Sequence, residues 1–364
     1  MKKMKKIIYI IFAIIFISCA AFFKSDEKLI NYIDPFIGSG GHGHVFVGAN
    51  VPFGGVQVGP TNFNKGWDWS SSYHHTDSIV KGFCHINVSG TGMSDLGELT
   101  IMPATGELKT GAGTQENHMA GYSSLYRKNK EFATAGYYKV HLERYDIDVE
   151  LTATERVGLH NYIFPNAENS RIIIDLGEGS ADRPTETYIK KVNDTLFEGH
   201  RFSTGWARDQ REYFSLIISK PVSDFIIYDR HKKFKGIERK GDYVKGFLEF
   251  STEKDEKIMV KMGISTVSSK NALENMMIEL PHWDFDRVKK NAELKWENEL
   301  AKIKIKTNNK KKKRVFYTAM YHTMIAPNLY HDLNGEYRGT DKVVYKDSSF
   351  TNYTLFSLWD TYRA

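Results

Sequence analysis

The chain has 364 residues, 41% of them hydrophobic and 13% aromatic, with a formal net charge of +6 and two cysteines. That length and apolar content allow a sizeable core and two or three domains, and so few cysteines exclude a disulfide framework. Lys2, Lys3, Lys5 and Lys6 sit at the extreme N-terminus, so the rest of the chain lacks the basic surplus on which nucleic-acid binding rests. The one basic cluster further on, residues 310–314, reads as the solvated start of a helix.

The chain opens MKKMKKIIYIIFAIIFISCA. A lysine-rich head, an apolar run from Ile7 to Ile17 and a small residue before Cys19 have the form of a secretory signal processed to a lipoprotein. Residues 1–19 are then the signal and Cys19 the lipidation site. The alternative, a spanning anchor, needs ~20 apolar residues and the run is shorter. The expectation is a bacterial cell-envelope protein, in the periplasm or at the outer membrane, held to the membrane by lipid.

GSGGHGHVFVGANVPFGGVQVGPTN, residues 38–62, packs eight glycines and two histidines into one stretch. Its Gly38-x-Gly40-x-x-Gly43 spacing matches a dinucleotide fingerprint, which requires a helix immediately afterwards. Val45, Val47, Val51, Val56 and Val58 instead favour extended chain, and Pro52 with its neighbouring glycines forbids a helical turn. The glycines therefore read as conformational, permitting left-handed turns and close backbone approach. His42 and His44, on alternate residues, would face the same way in an extended segment. A transition-metal pair, a polar lining for a site and ordinary loop hydrogen bonding all stay open for them.

Next come GWDWSSSYHHTDS, with Trp67, Trp69, His74, His75 and Asp77, and a segment bearing His85, Asn87, Ser89, Asp95 and Glu98. Flat aromatic faces beside many hydrogen-bonding groups suit a sugar, and burial in a core is the alternative for the tryptophans. Cys84 reads as a small buried hydrophobe. From about residue 32 to 270 the chain alternates at period two, as in 137–145, 147–164, 171–176, 211–219 and 257–266, which predicts a large antiparallel sandwich over 27–275. From 282 to 327 the period lengthens to three and four, predicting one helix from near Asp284 and another over about 312–326, stopped by Pro327. Asp332-x-Asn334-Gly335 lacks the other ligands of a calcium loop and reads as a turn. Asp360, between Trp359 and Arg363 in an apolar run, needs a partner or a ligand. The apolar ending YTLFSLWDTYRA reads as a chain cut short.

Taken together, IDPFIGSGGHGHVFVGANVPFGGVQVGPTN, GWDWSSSYHHTDSIVKGFCHINVSGTGMSDLGELTIMPATG, LTATERVGLHNYIFP, YTAMYHTMIAPNLYHDLNGEYRG and FSLWDTYRA resemble glycoside hydrolase family 92 from about residue 32 onward. The resemblance implies an exo-acting, inverting, calcium-dependent α-mannosidase, secreted or lipid-anchored. It implies a mainly β fold: a supersandwich of galactose-mutarotase type, linker helices and, over 328–364, the truncated start of an (α/α)6 barrel. Gly48, Trp67, Trp69 and Asp360, with His42 and His44 beside them, would line the pocket for a terminal mannose of a mannose-containing glycan, and calcium would hold sugar hydroxyls. The general acid and base belong to barrel motifs expected after Ala364, so no catalytic residue is assigned and the fragment alone is expected to be inactive. The alternative is a carbohydrate-binding or scaffolding lipoprotein without catalysis; a zinc hydrolase using His42 and His44 is a third reading.

Overall fold

The period-two runs do form strands. In the computed structural model, which describes residues 27–354, they assemble into two large antiparallel sheets. The eight-stranded sheet runs Ala49–Asn50, Gln57–Thr61, Gly82–Cys84, Thr100–Thr105, Ala167–Asp175, Val244–Thr252, Asp224–Asp229 and Lys232–Phe234 in spatial order. The nine-stranded sheet runs Glu238–Gly241, Arg183–Lys191, Leu196–Thr204, Gln210–Ile218, Glu256–Ser265, Val157–Phe164, Ile147–Ala153, Tyr137–Leu142 and Glu131–Thr134. The stretch 147–164, continuous in its alternation, folds as a hairpin with Gly158 opposite Ala153. Between the sheets lie Val149, Leu151, Tyr162, Ile172, Ile174, Phe214, Leu216 and Leu248, all inaccessible to solvent. Each such side chain contributes about 1.5–3 kcal/mol of burial.

Three helices follow. Helix α1, Ser269–Glu279, starts at Ser268, whose hydroxyl accepts from the Asn271 amide; it was not foreseen, and residue 275 lies inside it. Its Met276, with Leu280 and Val288, covers Val157 and Leu159 on the outer face of the nine-stranded sheet, which is why the strand Val157–Phe164 is apolar on both faces. Helix α2, Phe285–Leu300, begins after the cap Asp284 as the spacing predicts. Helix α3, Lys310–His322, begins slightly earlier than predicted and stops before Pro327. Among the described residues no helix is long and apolar enough to cross a membrane.

Helices α2 and α3 seat on the glycine-rich stretch. Trp296, Leu300, Tyr317 and Tyr321 pack with Phe46, Ile30 and Ile33. Trp296 Nε1 donates to the Asn50 carbonyl at 2.8 Å, and Gln57 Nε2 to the Ile325 carbonyl at 3.0 Å. The Phe53 amide donates to the Met324 carbonyl at 2.8 Å. Beyond α3 the chain makes two short ladders, Asn328–Leu329 with Tyr353–Thr354 and Glu336–Arg338 with Val344–Lys346. Asp332 to Gly335 is a turn, closed by the Gly335 amide on the Asp332 carbonyl at 3.0 Å. The Asp332 carboxylate accepts from Ser265, Asn271 and Asn275 at 2.6, 2.8 and 2.7 Å. It thereby ties the last strand of the sandwich, α1 and the tail together.

Candidate functional site

The start of the glycine-rich stretch is a loop folded on itself: a Cβ on Gly43 would lie 1.8 Å from the Gly38 carbonyl oxygen. This puts His42 outward, with 74% of its side chain accessible, and turns His44 inward. Trp67–Trp69 is a single 3-10 turn. At three residues per turn, positions two apart point in different directions, so the two tryptophans separate. Trp67 is 55% exposed and is fixed by its indole N–H, which donates to the Gly92 carbonyl at 2.6 Å. Trp69 is half-buried, stacks on His74 with ring centres 4.3 Å apart, and donates to Asp77 at 2.9 Å. Lys65 closes that cluster, 3.0 Å from Asp77.

Asp68, between the tryptophans, organises both early histidines. His42 Nδ1 lies 2.6 Å from its Oδ1, and His44 Nε2 lies 3.6 Å from the same oxygen. The His42 hydrogen bond holds the Asp68 carboxyl below the usual carboxylate range. An ionised carboxylate only accepts, so His42 Nδ1 carries a proton and Nε2 is left toward solvent, an acceptor when the ring is neutral and a donor when it is charged. His44 is buried and meets Trp67 at right angles, ring centres 4.3 Å apart at 86°, and among the described residues its Nε2 has no hydrogen-bond partner. The pair thus addresses a carboxylate and an indole. Among the described residues no group of three or more His, Cys, Asp or Glu side chains is arranged to hold a metal ion.

Gly48 is buried, and a Cβ there would lie 2.4 Å from both the Phe46 ring and the Val58 carbonyl. Its bareness serves strand approach, and the space beside it is filled. Of the adjacent pair, His74 is buried and His75 exposed. Cys84 is a buried free thiol that Thr61 contacts at 2.9 Å, its pKa pushed up by burial. Asp360 and Cys19 lie outside the described residues.

Behind this surface is a buried polar cluster. Arg201 Nη1 lies 2.7 Å from Glu98 and 2.5 Å from Asp182, with all three side chains inaccessible. Ser203 donates to Glu98 at 2.6 Å. Burial, and then Asp182 against the pull of Arg201, pushes the Glu98 carboxyl up to about 8. Asp95 accepts from the Ala207 amide at 3.0 Å. Sequence reasoning singled out Asp95 and Glu98 but missed Arg201 and Asp182. The available signal was an arginine at an inward position of Leu196–Thr204, where Phe197, Gly199, Arg201 and Ser203 share the buried face.

Comparison with known proteins matches both halves of the described chain. The Glycosyl hydrolase family 92 N-terminal domain matches residues 32–265, and the Glycosyl hydrolase family 92 catalytic domain matches residues 271–364. A family GH92 α-mannosidase of Bacteroides thetaiotaomicron, solved in complex with mannoimidazole, is 36% identical with a TM-score of 0.89, covering 93% of this chain and 45% of that one. A second structure from the same organism, an inverting mannosidase of the family, is 24% identical with a TM-score of 0.78 over 91% of this chain and 44% of its own, and shares the fold. An uncharacterized secreted glycosidase of Arthroderma benhamiae is 25% identical over 94% of this chain and 46% of its own length. The chain thus spans less than half the length of each of these relatives. With the two matches together running from residue 32 to 364, the chain belongs to glycosyl hydrolase family 92.

Proposed function

We propose that this chain forms one wall of an α-mannosidase cleft and that the Trp67 face receives the terminal mannose of a glycan. The observation that carries the reading is the exposed indole of Trp67, pinned through Gly92 beside the His42–Asp68 pair. A rigid aromatic face suits the C–H side of a hexose, and an oriented imidazole nitrogen suits one of its hydroxyls. The relatives named as α-mannosidases, one of them bound to mannoimidazole, support the substrate class. The reaction is hydrolysis with inversion, in which a carboxylic acid protonates the leaving oxygen while a carboxylate activates water on the opposite face. No residue between 27 and 354 is assigned either role. Calcium, when bound, would act on sugar hydroxyls as Lewis acid and template; the described residues offer no grouped ligand set for it.

Titration of the purified chain with methyl α-mannoside, followed by NMR, tests the wall. Trp67→Ala is expected to weaken binding about ten-fold or more, and Trp67→Phe far less. Absence of saturable binding, or equal affinity in Trp67→Ala, would refute it. We also propose a lipid anchor at Cys19 that places the protein in the bacterial cell envelope, supported by the signal-like opening of the sequence. Labelled fatty acid should enter the native protein and not Cys19→Ala; equal labelling of both rejects the anchor.

A further inference from the structure

A groove of about 700 Å³ lies apart from Trp67, lined among others by Trp206, Tyr337, Arg338, Tyr345, Phe350 and Asn352. Its volume falls in the range of small-molecule sites, about 300–1,000 Å³. Trp206 is 63% exposed. Tyr345 stacks on Tyr337 with ring centres 5.8 Å apart, and Phe350 meets Tyr337 edge-on at 5.4 Å. Arg338 pairs with Asp209 at 2.5 Å and Asp341 accepts from the Tyr345 hydroxyl, while Arg208 and Lys342 also line the groove. Aromatic faces beside amide, hydroxyl and charged hydrogen-bonding groups fit a polyhydroxylated ligand, which offers C–H faces and many hydroxyls.

One loop connects this groove to the first site. Residues 89–98 hold Trp67 through the Gly92 carbonyl, and the same loop holds the Trp206 segment through Asp95, which accepts from the Ala207 amide. Gly205 packs so closely there that a Cβ would lie 2.3 Å from Asp95 Oδ1. Asp95 is three positions beyond Gly92, at most about 11 Å of extended chain. The spacing of the two exposed indoles is therefore set by one short segment, whose far end is buried in the Glu98–Arg201–Asp182 cluster.

We propose that the groove is a second carbohydrate subsite, with Trp206 as its stacking residue, receiving units of a mannose-containing glycan beyond the one at Trp67. The proposal rests on the mannose reading of the Trp67 face. The test compares methyl α-mannoside with a linear α-mannotriose, titrated by NMR into the purified chain and its variants. The trisaccharide is expected to bind about ten-fold more tightly than the monosaccharide, and Trp206→Ala to remove that advantage while leaving monosaccharide affinity within about two-fold. Tyr345→Ala, on a different segment, should act in the same direction, and thermal melts of both variants should show a folded protein. Equal affinity for the two sugars, or an advantage untouched by both variants, overturns the subsite while leaving the Trp67 reading intact. If neither sugar binds, both readings fall together.

Discussion

Arg201 decides whether the cluster beneath the site is stabilising or costly. Its guanidinium bridges Glu98 and Asp182, and its Nε donates to the Leu176 carbonyl at 3.0 Å. Since Glu98 is raised to about 8, it is largely protonated at neutral pH and Asp182 is the ion-pair partner. Glu98→Gln keeps both shape and neutrality and is expected to change unfolding free energy by less than about 1 kcal/mol. Arg201→Met leaves buried acids unpaired and should cost about 3–5 kcal/mol in urea unfolding. Comparable losses in the two variants would show that Glu98 is needed as a charge. The same reasoning fixes protons in the buried chain of His85, His160 and Tyr162. The Leu99 carbonyl, 2.6 Å from His85 Nδ1, can only accept, so that nitrogen carries hydrogen. His160 Nε2 then donates to His85 Nε2 at 2.9 Å, and the Tyr162 hydroxyl donates to His160 Nδ1 at 2.8 Å. Both rings are satisfied as neutral groups, a relation between residues 75 positions apart that no sequence spacing discloses.

Elements were legible where one physical signal ruled. The strands declared themselves through alternation, and α2 through its apolar period behind Asp284. Helix α1 was hidden because its inward face uses Asn271 and Asn275 beside Ala272 and Met276, which breaks the apolar period. Those amides make sense only against the Asp332 carboxylate, some sixty residues further on. The 3-10 turn that points Trp67 and Trp69 in different directions had no counterpart in the sequence pattern. His42 and Trp67 stood out in the sequence as candidates by their chemistry, while Trp206 carried no local signal. It is an aromatic in a loop, and only the Asp95 hydrogen bond next to it links it to the site.

At the scale of the whole molecule, buried titratable groups oppose one another. His85, depressed to about 4 by burial, and His160, depressed further by burial and by His85, take up protons on unfolding at mildly acidic pH. Their contribution is complete above the ordinary histidine value of 6.5 and is lost as pH falls below it, for His85 down to about 4. Glu98 and Glu212, both raised first by burial, release protons on unfolding, so their contribution is complete below 4.5 and is lost as pH rises; for Glu98 the loss runs to about 8. Each group contributes about 1.4 kcal/mol per pH unit within its window. Between about pH 4.5 and 6.5 the two histidines and the two glutamates act in opposite directions, so together they flatten the pH dependence of the melting temperature there. A maximum at pH 8 or above in a melting series would contradict this balance. Finally, the seam between the two matched family regions, after residue 265, coincides with no weak point in the protein. The Asp332 carboxylate gathers Ser265 from one side and Asn271 and Asn275 from the other. A polypeptide ended at that seam would strand a hydroxyl inside and bare the apolar sheet face that α1 covers, so the unit that evolution labels and the unit that can stand alone in water are different lengths of chain.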